Sequence, residues 1–151
     1  MIPAFCKRGD VIVMDEACNY AIQSGTLLSR SRVYRFRHND MDSLEQTLRQ
    51  IDAEDLAAKR PLTRRFILVE GIYAHLGDLC PLDKVFALKQ RYQYRLLVDE
   101  TMSLGVLGRT GRGACEHYGI DPSDVDVIVA SMSTSLATVG GKSCQQGGIA
   151  S

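Results

Sequence analysis

Three short apolar runs constrain this chain more than anything else in it. Val11-Ile12-Val13-Met14, Phe66-Ile67-Leu68-Val69 and Leu96-Leu97-Val98 show no polar alternation, and each stops on an acid, at Asp15, Glu70 and Asp99. Runs of this length fit strands buried on both faces, the pattern of a parallel sheet covered by helices. Val33-Tyr34-Arg35-Phe36 reads as a shorter strand among arginines, and Asp126-Val127-Ile128-Val129-Ala130 as a fifth.

Helical patterns lie between the runs. Residues 15–29 predict a helix with Ala17, Tyr20, Ala21, Leu27 and Leu28 inward, weakened or ended by Gly25. In NDMDSLEQTLRQI, Leu44, Leu48 and Ile51 form one buried face, with Asp42 or Asp40 as the N-cap. Residues 52–64 read as an exposed connector or frayed helix. Pro81 sits at a helix start, followed by the facing stripe Leu82, Val85, Phe86 and Lys89. The alternation predicts an α/β fold with a mostly parallel sheet and crossover helices. Ligands in such sheets gather beyond the carboxyl ends of the strands. Asp15, Glu70 and Asp99 therefore mark one polar edge, and the glycines at 105, 108, 111 and 113 follow the Asp99-Glu100 end.

Composition excludes several classes. Lys+Arg and Asp+Glu are both 18, so no bulk charge draws nucleic acid. No window reaches the roughly 18 apolar residues of a membrane span. Cysteines 6, 18, 80, 115 and 144 contain no C-x-x-C pair, and His38, His75 and His117 have no metal-ligand spacing, so no metal site is expected. A phosphate loop of the G-x-x-x-x-G-K-S/T type and a G-x-S-x-G elbow are both absent. Arg30, Arg32, Arg35, Arg37 and His38 form a basic cluster that could attract a phosphate, but Asp40 and Asp42 beside it favour a solvated mixed face.

Asp99 alone admits three readings: a partner for a protonated ring nitrogen, a magnesium-bearing acid, or a satisfied turn cap. A pyridoxal phosphate enzyme also needs a lysine for its Schiff base. The segment after the fifth strand offers Ser131, Ser133, Thr134 and Ser135, with Lys142 only beyond Gly140-Gly141.

The stretches DEACNYAIQSG, FRHNDMDSLE, RRFILVEGIYAHLGDLCPL, LVDETMSLGVLGRTGRGACEHYGI and DVDVIVASMSTSLATVGG together resemble the α-oxoamine synthases. These are pyridoxal-phosphate-dependent transferases that condense an amino acid with an acyl-CoA. Within them the chain is similar to the non-catalytic first-subunit branch of serine palmitoyltransferase. The resemblance implies a partial large domain of the fold-type I, aspartate aminotransferase-like architecture over residues 1–151. An N-terminal membrane anchor and a small C-terminal domain are expected outside it.

Carried over residue by residue, Asp99 falls at the aspartate that meets the pyridine nitrogen. Met102 and Asn19 stand at two family histidines, and Thr134 at the Schiff-base lysine. The resemblance thus implies a partner subunit with no catalytic residue of its own. It would support condensation of L-serine with palmitoyl-CoA to 3-ketosphinganine in sphingolipid biosynthesis. Pyridoxal 5'-phosphate would be bound covalently by the catalytic second subunit, with Asp99 vestigial or shared and Cys18 and Gly105 near the subunit interface. The parent would sit on the cytosolic face of the endoplasmic reticulum membrane, touching it only through parts outside this sequence. Two alternatives stand beside this: a catalytic acyltransferase whose lysine is displaced, such as Lys142, and an interaction-only or regulatory fragment. After Gly141 the sequence KSCQQGGIAS departs from the first-subunit pattern, as a real terminus or a truncated gene model would.

Overall fold

The computed structural model describes residues 1–135 and 137–145, without the side chains of Lys142 and Gln145. The expectation about the chain's end falls largely on residues 146–151, outside the described residues. In chain order the elements are α1 (Ile2–Phe5), β1 (Val11–Asp15), α2 (Tyr20–Ser29), β2 (Arg32–Phe36), α3 (Met41–Ala57) and β3 (Arg65–Glu70). They continue with α4 (Leu82–Tyr92), β4 (Arg95–Asp99), α5 (Ala114–His117), a 3-10 turn at Pro122–Asp124, β5 (Val127–Ser131) and β6 (Gly141–Gln145).

The strands form one sheet in the order β2-β1-β3-β4-β5-β6. The first five are parallel and β6 is antiparallel to β5. β1 and β3 are the buried centre expected from their unbroken apolar runs, with Val11 to Met14 and Phe66 to Val69 closed to solvent. α3 docks through Leu44, Leu48 and Ile51, as its periodicity predicts. Its N-cap is Asp40, which accepts from the Ser43 amide at 2.9 Å.

Four expectations are corrected. The 15–29 segment becomes helical only at Tyr20, and α2 buries Ile22, Thr26 and Ser29 instead of the expected stripe. Tyr20, Leu27 and Leu28 are 79%, 79% and 71% exposed. Gly25 does not end α2, which runs through it to Ser29. A Cβ there would come within 2.9 Å of Ile2 Cδ1, so the glycine lets α1 pack close. α3 runs on to Ala57 because Asp55, buried one turn past Ile51, is met by Arg32 at 2.8 Å and Arg65 at 3.1 Å. β6 has no apolar run to announce it. The basic cluster, as expected, is a mixed face, with Arg32 on Asp55 and Arg37 on Asp40.

The two faces of α2 should respond differently to truncation. Ile22→Ala is expected to lower stability by about 2–4 kcal/mol, and Leu28→Ala by less than about 0.5 kcal/mol, in urea unfolding.

Candidate functional site

The three acids at strand ends line the carboxyl edge of the sheet on neighbouring strands, with Glu70 and Asp99 directly in register. None of the three pairs with Lys or Arg among the described residues. Loop donors hold them instead, which offsets the cost of taking carboxylates out of water. Asp15, closed to solvent, accepts from the Ala17 amide at 2.8 Å, the Asn39 amide at 3.0 Å and the Tyr73 hydroxyl at 2.9 Å. Glu70 accepts from the amides of Asn19 at 2.5 Å and Ala74 at 3.1 Å. Asp99, half-buried, accepts from the Thr101 amide at 2.9 Å on Oδ1 and from Asn19 Nδ2 at 3.3 Å on Oδ2.

Asn19 works at both ends of its amide. Its Oδ1 caps α2 by accepting from the Ile22 amide at 3.1 Å while Nδ2 reaches Asp99. Beneath it Cys18 is buried, its thiol lying 3.7 Å from the Leu68 carbonyl. Burial, then the charges of Glu70 and Asp15, push that thiol's pKa far up, so it stays neutral and unreactive.

Glu100 organises the far side of the edge. It is 1% exposed and accepts from the Ser103 hydroxyl, the Ala114 amide at 2.9 Å and the Cys115 amide at 3.2 Å. The carboxylate thereby joins the turn after β4 to the start of α5 and closes residues 101–113 into a loop. Room for it depends on Gly113, where φ is +95° and a Cβ would lie 2.6 Å from Glu100 Oε2. Sequence reasoning placed Glu100 at the rim but missed this role, since its donors lie up to 15 residues away.

Thr134 faces the same loop, and its hydroxyl donates to the Thr101 carbonyl at 2.8 Å. Gly105, at φ +82°, packs against Ser135, whose Cβ would be 2.4 Å from a Cβ placed there. Asn19, Asp99, Thr101 and Thr134 are thus linked around one edge, with Met102 exposed on the turn between. The hydrogen bonds of this edge include no lysine among the described residues, and the Lys142 side chain lies outside them. The cleft between α2 and β2, about 440 Å³ and lined by Tyr20, Gln23, Leu27, Val33 and Arg35, contains none of these residues. Among the described residues no cluster of His, Cys, Asp or Glu could hold a metal ion.

The family model described as aminotransferase class I and II matches residues 1–143. The chain belongs to that family. Its sheet with flanking helices is the fold-type I pyridoxal-phosphate transferase architecture. The chain is 47% identical over 141 residues to long chain base biosynthesis protein 1b of Oryza sativa subsp. japonica, covering 93% of this chain and 29% of that protein. It is 48% identical over 143 residues to serine palmitoyltransferase 1 of Saccharomyces cerevisiae, covering 93% of this chain and 26% of that protein. The chain therefore spans under a third of the length of these relatives. Among solved structures, the Sphingomonas wittichii serine palmitoyltransferase matches with a TM-score of 0.82 at 31% identity, covering 96% of this chain and 34% of that one. A serine palmitoyltransferase carrying pyridoxal phosphate as its internal aldimine also matches at a TM-score of 0.82 and 29% identity, covering 95% and 34%.

This family member's edge fits the cofactor in one respect. Asp99 retains acceptor capacity beyond Thr101 and Asn19 that could meet a protonated ring nitrogen. Thr134 does not fit covalent attachment, since a hydroxyl forms no imine.

Removing the Glu100 carboxylate leaves two buried amides and a hydroxyl without partners. Glu100→Ala is expected to cost about 3–5 kcal/mol in urea unfolding. Asn19→Ala, which removes the cap of α2, is expected to cost about 1 kcal/mol by the same measurement.

Proposed function

We propose that this chain is part of a non-catalytic partner subunit of a serine C-palmitoyltransferase. The observation that carries the reading is Thr134, whose hydroxyl is tied to the Thr101 carbonyl where the resemblance requires an amine. Asn19 points the same way. Its amide is committed to capping α2 and donating to Asp99, and it has no aromatic face to lie on a pyridine ring. Met102 carries no exchangeable proton.

In this reading the chain forms one wall of a pocket shared with a catalytic second subunit. Pyridoxal phosphate, when bound, would supply an electron sink for the amino acid substrate. The lysine that holds it belongs to the second subunit. Asp99 would hold a proton at the ring nitrogen, or persist as the acceptor that keeps Asn19 and Thr101 in place. Glu100 and the 101–113 loop would set the pocket's wall, with Gly105 beside the partner and Cys18 supporting the loop from below. The exposed row Tyr20, Leu27 and Leu28 supplies apolar surface suited to a protein contact. The reaction served would be condensation of L-serine with palmitoyl-CoA to 3-ketosphinganine in sphingolipid biosynthesis.

The parent is proposed to act on the cytosolic face of the endoplasmic reticulum membrane. No helix among the described residues is long and apolar enough to cross a membrane. We assign membrane contact to other parts of the parent, along with the small C-terminal domain. Coverage of under a third of the relatives' length accords with a partial large domain.

The second reading is a catalytic pyridoxal-phosphate acyltransferase with a displaced lysine. It is favoured by Asp99 at the strand end and by the likeness to serine palmitoyltransferases solved with the cofactor. One experiment separates the two. The chain is co-expressed with a catalytic serine palmitoyltransferase subunit, loaded with pyridoxal phosphate, reduced with borohydride and mapped for labelled lysine. The partner reading expects label on the second subunit alone and turnover only when both chains are present. Stoichiometric label on Lys142, or turnover by this chain alone, would establish the catalytic reading instead.

A further inference from the structure

His38 stands between two carboxylates. Its Nδ1 lies 2.9 Å from Asp15 Oδ1 and its Nε2 lies 2.7 Å from Asp78 Oδ2. An ionised carboxylate only accepts, so a ring that satisfies both contacts carries a proton on each nitrogen. A neutral ring would turn one lone pair toward an acid.

Three segments meet at this ring. Asp15 closes β1, and the exposed Glu16 beside it accepts from the His38 amide at 3.1 Å. Tyr73 and Asp78 come from the segment after β3. The Tyr73 ring meets His38 edge-on at 4.5 Å, and its hydroxyl donates to the other oxygen of Asp15. On His38's own turn, Arg37 pairs with Asp40 at 2.7 Å, and Asn39 donates its amide to Asp15 and its side chain to Asp78. Among the described residues neither Asp15 nor Asp78 pairs with Lys or Arg, so His38 is the basic side chain that both share.

We propose that His38 is a positioning residue for the candidate site, a protonated pin that fixes Asp15 and through it the 16–19 segment. The same Asp15 oxygen that faces His38 accepts from Ala17, two residues before the Asn19 that reaches Asp99. Loss of the ring proton sets a lone pair against Asp15 Oδ1 or Asp78 Oδ2 and loosens that hold. The inference goes beyond the function proposed above and does not depend on which subunit carries the lysine.

Burial opposes the ring's charge, but the hydrogen bonds to Asp78 and Asp15 outweigh it and raise the His38 pKa. A folded pKa raised above the unfolded value gives stabilisation that is whole below about pH 6.5 and is lost as pH rises through the folded value.

The test is an NMR titration of the chain, following the His38 ring and the exchange of the Ala17 and Asn39 amides after correction for intrinsic rates. The ring is expected to titrate above an ordinary histidine and to titrate lower in Asp78→Asn. Protection of Ala17 should fall about tenfold or more across that same midpoint. In His38→Gln it should be low and free of that transition. If that variant does not fold, the milder Asp78→Asn decides by whether the ring midpoint and the Ala17 transition move together. A ring that titrates at or below the ordinary value, or Ala17 protection blind to the His38 midpoint, overturns the proposal.

Discussion

A carboxylate at the end of a buried parallel strand must find donors, because water does not reach it freely and its charge is costly to leave bare. In this chain that requirement falls on Asp15, Glu70 and Glu100, each nearly closed to solvent. The donors come from the loops that leave the strands. Ala17 and Asn39 turn toward Asp15, Asn19 and Ala74 toward Glu70, and Ala114 and Cys115 toward Glu100. The acids therefore shape the edge as well as lining it. Loop geometry follows from the need to satisfy them.

That division of labour means the edge takes its form from loop donors and buried carboxylates. Asn19 caps α2 and reaches Asp99. Thr134 ties the segment after β5 to the turn after β4. Backbone amides and buried carboxylates hold most of this wall, so its shape does not rest on any one exposed side chain.

The fold was largely legible because its signal is local. Unalternated apolar runs and the Leu44, Leu48, Ile51 repeat report burial through spacing alone, and β1, β3, β4 and α3 form where the spacing puts them. Failures came where burial is decided by a distant partner. Tyr20, Leu27 and Leu28 look like a core stripe, yet the inner face of α2 is chosen by Ile2 packing on Gly25. Asp55 looks solvent-facing until Arg32 and Arg65 arrive from β2 and β3. β6 pairs with β5 without an apolar run. The site was legible as a set of acids at strand ends. Its wiring was not, since Glu100 with Cys115 and His38 with Asp78 are pairs that no short window contains.

The two sides of this edge are stabilised by different physics. Around Glu100 the charge is met by amides and a hydroxyl, donors that do not titrate near neutral pH, so the 101–113 loop should be indifferent to mild pH change. Around Asp15 one donor is an imidazole, so the 16–19 loop inherits a histidine's sensitivity. Asp99 lies between them, touched by Asn19 from the sensitive side and by Thr101 from the insensitive one. Any ligand resting on Asp99 would meet one wall whose position depends on pH and another whose position does not. The asymmetry follows from the donors alone.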